Sequence, residues 1–294
     1  MISNWIDKHL KLIFILPAVI FVVVMMAFPI MYTLVLSFTS WNMTALEAPQ
    51  FIGLRNYIEL FRNARFLSSV GRTVYFTVVG ITIQTVLGVG CAALLHRKLI
   101  ARNFIKTMFL LPVVATPVAI AMVWMLLFEP SIGYINQILR TLGLQPMLFL
   151  ADLDQALNSL ILVDVWQWTP MIMLIVYAGM AAIPTELYEA ATVDGSNGFQ
   201  KFFRITLPLA SPAILVAVLI RLIDIIKTFD IIYTTTRGGP GFATENINIY
   251  AFATTFMHFR YGMASAVIML FFLVVAGISG AFIVLKKRLE VDYL

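Results

Sequence analysis

The stretch RLIDIIKTFDIIYTTTRGGP, which begins at Arg221, sets Arg221, Asp224, Lys227 and Asp230 three residues apart with alternating sign. On a helix, residues three apart are neighbours on one face. The rest of the run is mostly apolar, and a charge in hydrocarbon is costly unless it is paired, reaches the membrane edge or faces a wet cavity. Two chemistries fit. Either the pairs Arg221–Asp224 and Lys227–Asp230 neutralise one another and steady a helix bundle, or part of the group lines a polar path for a hydroxyl-rich molecule. For the path, Asp224, Lys227 and Asp230 are the preferred contacts, because carboxylates accept hydrogen bonds from sugar hydroxyls and an ammonium donates them. Trp166 and Trp168, in DVWQWTP, suit membrane-interface anchoring or stacking on the same molecule.

A second stretch, ELYEAATVDGSNGFQKFFRITLP, is amphipathic and lies between two long oily runs. A helix through ELYEAAT carries Glu186, Glu189 and Ala190 across roughly one turn, with Ala190 and Ala191 small enough to admit close contact. Asp194-Gly195 favours a turn. Phe199, Phe202, Phe203 and Ile205 then offer a second apolar face. Pro208 can open the next helix, because its missing donor is harmless in a first turn. Further on, Gly238, Gly239 and Pro240 mark a tight turn, which is either a plain connection or a short loop that probes a docking partner or a cavity mouth.

Other chemistries are excluded by spacing. The glycines around Pro240 lack the GxxxxGK[ST] pattern that wraps phosphates, so no nucleotide is expected in this chain. No nucleophile–base set surrounds Asp224 or Asp230, so the chain is not expected to be an enzyme. His9, His96 and His258 are scattered without metal-ligand spacing. Cys91 is the lone cysteine, which rules out a disulfide scaffold.

What must position these residues is a membrane bundle. The 294 residues are 61% hydrophobic and 12% charged, about half the charged fraction of a soluble domain. Six apolar runs are long enough to cross a bilayer as helices, at about 11–38, 70–95, 107–128, 157–180, 208–232 and 262–285. Because lipid leaves backbone groups unsatisfied, the expected fold is an all-α integral membrane bundle. The first run is too long for a cleaved leader and is read as retained.

The bases Arg97, Lys98, Arg102 and Lys106, and Lys286, Lys287 and Arg288, predict cytoplasmic loops, with both termini inside. The segment 184–207 disagrees: alternation makes it cytoplasmic, yet Glu186, Glu189 and Asp194 outnumber Lys201 and Arg204. The net charge of +5 thus reports orientation, and no nucleic-acid partner is expected. The chain divides into 1–69 (first span and outer segment), 70–285 (a five-helix core including the loop 184–207) and 286–294 (a basic tail).

The spacing of Glu189, Ala190, Ala191, Gly195, Ile205, Leu207 and Pro208 resembles the signature loop of the membrane subunits of bacterial ATP-binding-cassette importers. The phrases LPVVATPVAIAMVW, DVWQWTPMIMLIVYAGM, IPTELYEAATVDG and KTFDIIYTTTRGGPGFATENINIYAF are similar to the carbohydrate-uptake branch, in its maltose- or glycerol-phosphate-permease-like first subunit. This resemblance implies a six-span type I importer permease in the bacterial inner membrane. It implies a homologous permease partner, two ATPase subunits that hold ATP and Mg, and an external solute-binding protein. In that family the loop helix docks into an ATPase cleft, which would make Glu189 the prime docking acid. By hydrophobicity alone, a self-contained secondary transporter is the alternative; it would call for inverted repeats, and none is evident.

Overall fold

The computed structural model describes residues 2–44, 48–96 and 102–291, with side chains described between Ile15 and Phe282 in those ranges, Arg102 excepted, and at Val284. Arg97 and Lys98, and the side chains of Lys286, Lys287 and Arg288, lie outside the described residues, so the expected orientation is not tested through them. Among the described residues the chain is helical, without a strand. In chain order the helices are α1 (Ile2–Ser37), α2 (Arg55–Arg62), α3 (Ala64–His96), α4 (Arg102–Val114), α5 (Pro117–Leu127), α6 (Tyr134–Thr141) and α7 (Ala156–Ala181). There follow α8 (Thr185–Val193), α9 (Gly198–Lys201), α10 (Leu207–Ile226), α11 (Asp230–Thr235), α12 (Ile247–Phe252) and α13 (Tyr261–Val291).

Five helical stretches are long and apolar enough to span a bilayer, and α4 and α5 meet the same test only as a pair, bent by 97° at the break between them. The bend has a local cause. Thr116 precedes Pro117, whose ring disfavours helical backbone at the preceding residue; Thr116 is accordingly extended (φ −66°, ψ 142°), and its hydroxyl caps α5 through the Ala119 N–H. Pro112 sits inside α4 without breaking it. Unravelling the helix frees the Ala115 carbonyl, which accepts a hydrogen bond from Gln167 Nε2 at 3.3 Å.

The chain forms two compact units. The first comprises Met1–Leu67 and Ala251–Val274. Every residue of α1 from Ile15 to Pro29 is exposed within it, as suits a helix that is apolar on all sides and surrounded by hydrocarbon. Between α1 and α3 the described residues form one short helix, α2. Asn56 pins it by donating to the Ser37 and Thr39 carbonyls at 2.8 and 2.9 Å. Gly262 packs on the Thr39–Trp41 backbone so closely that a Cβ would collide with the Thr39 carbonyl.

The second unit comprises Ser68–Tyr250 and Val275–Leu294. Its hub is α7, whose two halves bury different cores. Leu160, Ile161, Val163 and Val165 join Phe76, Phe128 and Ile225. Ile172, Met173, Val176 and Met180 join Ala92, Leu95, Ala210 and Ala217. Within lipid such packing is won by close contact rather than by the hydrophobic effect, so small residues matter. Gly88 lies against Ile172 and Gly179 against the Ala213 methyl; at neither is there room for a Cβ. Gly90, two residues on from Gly88, faces open space.

Candidate functional site

The segment 184–207 folds as a helix, a turn and a short second helix. Pro184 precedes α8, and Gly195, at φ +77°, supplies the left-handed backbone that reverses the chain. Asn197 and Gln200 then cap α9 reciprocally, each side chain bonded to the other's backbone N–H at 2.9 Å. Glu186, Glu189, Ala190 and Asp194 are exposed, while Ala191 turns inward and is buried. Val193, Phe199 and Phe203 are exposed too, Val193 to 90%. The loop is braced internally: Tyr188 Oη and Thr206 Oγ1 stand 3.0 Å apart, and Lys201 Nζ donates to Thr192 Oγ1 at 2.7 Å.

One expectation is corrected here. Pro208 does not open a separate helix: α9 runs into α10 through a π-helical turn, Phe202–Thr206. In that turn the Leu207 N–H reaches back five residues to the Phe202 carbonyl. A widened turn accommodates the donor that Pro208 lacks without ending the helix.

The four charges from Arg221 to Asp230 do not share one helical face, because the helix is interrupted. α10 ends at Ile226 and α11 starts at Asp230. Lipid supplies no partners for the freed carbonyls, and two asparagines do so instead. Asn246 Nδ2 donates to the Thr228 carbonyl at 2.6 Å, and Asn248 Nδ2 donates to Ile226 O at 3.0 Å and Thr228 O at 3.3 Å. The pairing differs accordingly from the sequence expectation. Lys227 pairs with Asp224 at 3.6 Å, both about half exposed, and Asp230 is exposed. Arg221 pairs instead with Asp164 of α7.

Asp164 lies more than two turns inside α7 and is 1% exposed. Its carboxylate accepts from Arg221 Nη2 at 2.5 Å and from Gln84 Nε2 at 2.7 Å. Arg221 Nε donates to Gln84 Oε1 at 2.8 Å, which closes a triad across α3, α7 and α10. The Arg221 guanidinium also lies 5.1 Å from the centre of the half-buried Trp168 ring. Trp168 therefore covers the triad rather than anchoring at an interface. Trp166 is exposed and meets Trp124 edge-on at 5.6 Å; it lines a cavity of about 760 Å³ whose walls, among them Leu87, Met108, Phe109 and Pro112, are nearly all apolar.

The Gly238–Pro240 turn is tightly closed. Gly238 has φ +92°, which strains any L side chain, and a Cβ there would press on the Ile249 side chain. Thr244 Oγ1 donates to the Gly239 carbonyl and meets Thr236 Oγ1, each at 2.7 Å.

Sequence reasoning missed Gln84, and did not find the roles of Asp164, Asn246 and Asn248. The signal for Asp164 and Gln84 was there: each is a strongly polar side chain inside an apolar run, which demands a partner at the same depth.

This geometry was compared with known proteins. A family model described as the inner membrane component of binding-protein-dependent transport systems matches residues 84–289. The chain is 36% identical over 269 residues to the trehalose/maltose transport system permease protein MalF of Thermococcus litoralis, covering 92% of this chain and 90% of that one. It is 32% identical over 284 residues to the trehalose transport system permease protein SugA of Mycobacterium tuberculosis, covering 96% and 90%. In fold it resembles a chain of a bacterial alginate transporter, solved with a periplasmic protein that holds an alginate pentasaccharide. The TM-score is 0.84 at 22% identity, over 97% of each chain.

Proposed function

This chain belongs to the family of inner-membrane components of binding-protein-dependent transport systems, and from that premise we propose that it is one permease subunit of an ATP-driven carbohydrate importer. Relatives named for trehalose, maltose and starch-degradation products support the carbohydrate class. The chain is a multi-pass membrane protein and a translocation subunit rather than a catalyst. Its finer setting is part of the proposal: a bacterial inner membrane with both termini cytoplasmic, a homologous permease beside it, two ATPase subunits beneath and a solute-binding protein outside.

The observation that carries the reading is the presentation of α8. Glu186 and Glu189 project from a helix that is buried only at Ala191, next to exposed Val193 and Phe199, on a loop held at its base by Tyr188 and Thr206. A rigid, acidic and apolar projection suits a cleft on a separate protein, through which ATP-driven closure can pull. The loaded binding protein would favour one conformation of the bundle and the ATP-bound motor another, since only differential affinity moves such an equilibrium. Lys227 and Asp230, exposed at the break between α10 and α11, and half-exposed Asp224 just before it would meet the hydroxyls of the cargo. A neutral carbohydrate fits this alternation of sign better than a phosphorylated one.

The test is Glu189→Ala in the reconstituted four-subunit complex. Co-purification with the ATPase subunits and substrate-stimulated hydrolysis should each fall at least tenfold, while membrane insertion is retained. Wild-type levels of both would remove α8 as the coupling element. Uptake that persists without the ATPase subunits and collapses with the ion gradient would favour the secondary-transporter alternative.

A further inference from the structure

At the end of α7 farthest from the 184–207 loop lies a small cavity of about 420 Å³, lined by Arg72 and Tyr75 of α3, Asp154 and Asn158 at the start of α7, and Gly241 of the glycine-proline turn. From Asn158 to Ala181 the helix rises roughly 35 Å at 1.5 Å per residue, about the thickness of a membrane core. The cavity therefore opens on the face opposite the motor loop. Its walls are built. Tyr75 Oη donates to Asn158 Oδ1 at 2.9 Å, and Asp152 Oδ1 fixes the start of α7 by accepting from the Asp154 N–H at 2.9 Å.

The cavity offers one charge of each sign. Among the described residues neither Arg72 nor Asp154 belongs to an ion pair. Beside them Leu153 is 60% exposed. A protein loop that carries its own acid and base matches both charges and is steered to them, while its apolar side chains can cover the Leu153 rim.

Arg72 also has a second attachment. Its guanidinium donates to the Glu245 carbonyl at 3.5 Å, and the next residue of α3, Thr73, accepts at Oγ1 from the Ile247 N–H at 2.9 Å. Between these two anchored positions stands Asn246, and just beyond them Asn248. These are the side chains that hold the Thr228 carbonyl where α10 is interrupted. The wall of the cavity is thus joined through three consecutive residues to the break that carries Asp224, Lys227 and Asp230.

We infer that this cavity is the socket for a charged loop of the solute-binding protein, one that presents a carboxylate to Arg72 and a base to Asp154, and that the 245–248 segment relays its seating to the α10–α11 break. The inference rests on the importer reading above and gives it a docking point and a relay. The occupant is a polypeptide, not the free cargo.

The experiment uses the complete complex in lipid nanodiscs and the cognate solute-binding protein purified with its carbohydrate bound. ATP hydrolysis is titrated against binding-protein concentration. Arg72→Glu and Asp154→Lys should each raise the half-saturating concentration about tenfold, with co-purification of the ATPase subunits at the wild-type level. Thr73→Val, which removes the acceptor for Ile247, should leave that concentration in place and lower the maximal stimulation severalfold. If either charge reversal fails to assemble, Asp154→Asn on the exposed side of the cavity should still give a shift of at least threefold. Half-saturation within twofold of wild type for the assembled variants would overturn the socket. Charge reversals that instead weaken binding of the free sugar, titrated without binding protein, would make the cavity a cargo site and overturn it equally. A wild-type complex that the binding protein does not stimulate at all would mark a failure of the importer reading itself.

Discussion

Arg221 and Lys227 stand six residues apart in one apolar run, and the molecule treats them in opposite ways. Arg221 is 1% exposed, with Asp164, Gln84 and the Trp168 face arranged around it. Lys227 is about half exposed, and its pair with Asp224 spans a loose 3.6 Å. The first cluster is closed: its principal donors and acceptors are met within the chain, so nothing from outside is needed and no cargo can reach it without breaking it. The second is open, and its oxygens and ammonium remain available. Residue type and spacing were the same in both places. What separated them was the break after Ile226, which turned Lys227 and Asp230 away from the bundle.

The contrast can be broken most severely at Arg221. Arg221→Gln leaves the Asp164 carboxylate buried without its counter-charge, and such losses cost about 3–5 kcal/mol. The thermal midpoint of the detergent-purified complex should collapse, as followed by size-exclusion chromatography after heating. Replacing both partners, Arg221→Met with Asp164→Leu, should recover most of that loss; a double variant as unstable as the single one would mean that the pair does more than close on itself.

A smaller effect is expected at the boundary between the regions. Asn246→Ala leaves the Thr228 carbonyl only its longer bond from Asn248 and takes away the acceptor of the buried Ile249 N–H, and a buried polar group left unmet costs about 1–3 kcal/mol. The same thermal assay measures it. Because the break also positions the open charges, the uptake rate of this variant should fall further than its stability does.

The least effect on folding belongs to the open cluster. Asp230→Asn, at an exposed site, should change stability by no more than about 0.5 kcal/mol, while uptake or solute preference in reconstituted vesicles shifts severalfold. If the variant changes stability and leaves uptake untouched, the open cluster is structural as well and the contrast disappears.

Much of the architecture was legible in the sequence, because the need to span hydrocarbon writes itself as long apolar runs. The turn at Asp194-Gly195 was legible too, since a left-handed position asks for glycine. The partner of Arg221 was not. Asp224 stands three residues away and looked sufficient, and only the packing of α7 against α10 brings Asp164, 57 positions distant, to the guanidinium. The break at Lys227 was equally hidden. KTFD contains neither glycine nor proline, and the helix stops there because Asn246 and Asn248, contributed from a later segment, make stopping cheap. Pro208 misled for the opposite reason, being a residue that usually announces a boundary but was absorbed by a local change of helical pitch.

That absorbed turn has a geometric consequence. A π-helical turn is an α-helix with one residue inserted, and each residue advances the screw by about 100°. The bearing of everything on the α9 side, relative to the membrane helix, is therefore offset by that one surplus position between Phe202 and Thr206. Where the acidic projection points is governed by a count along the chain, before any side chain on it is chosen.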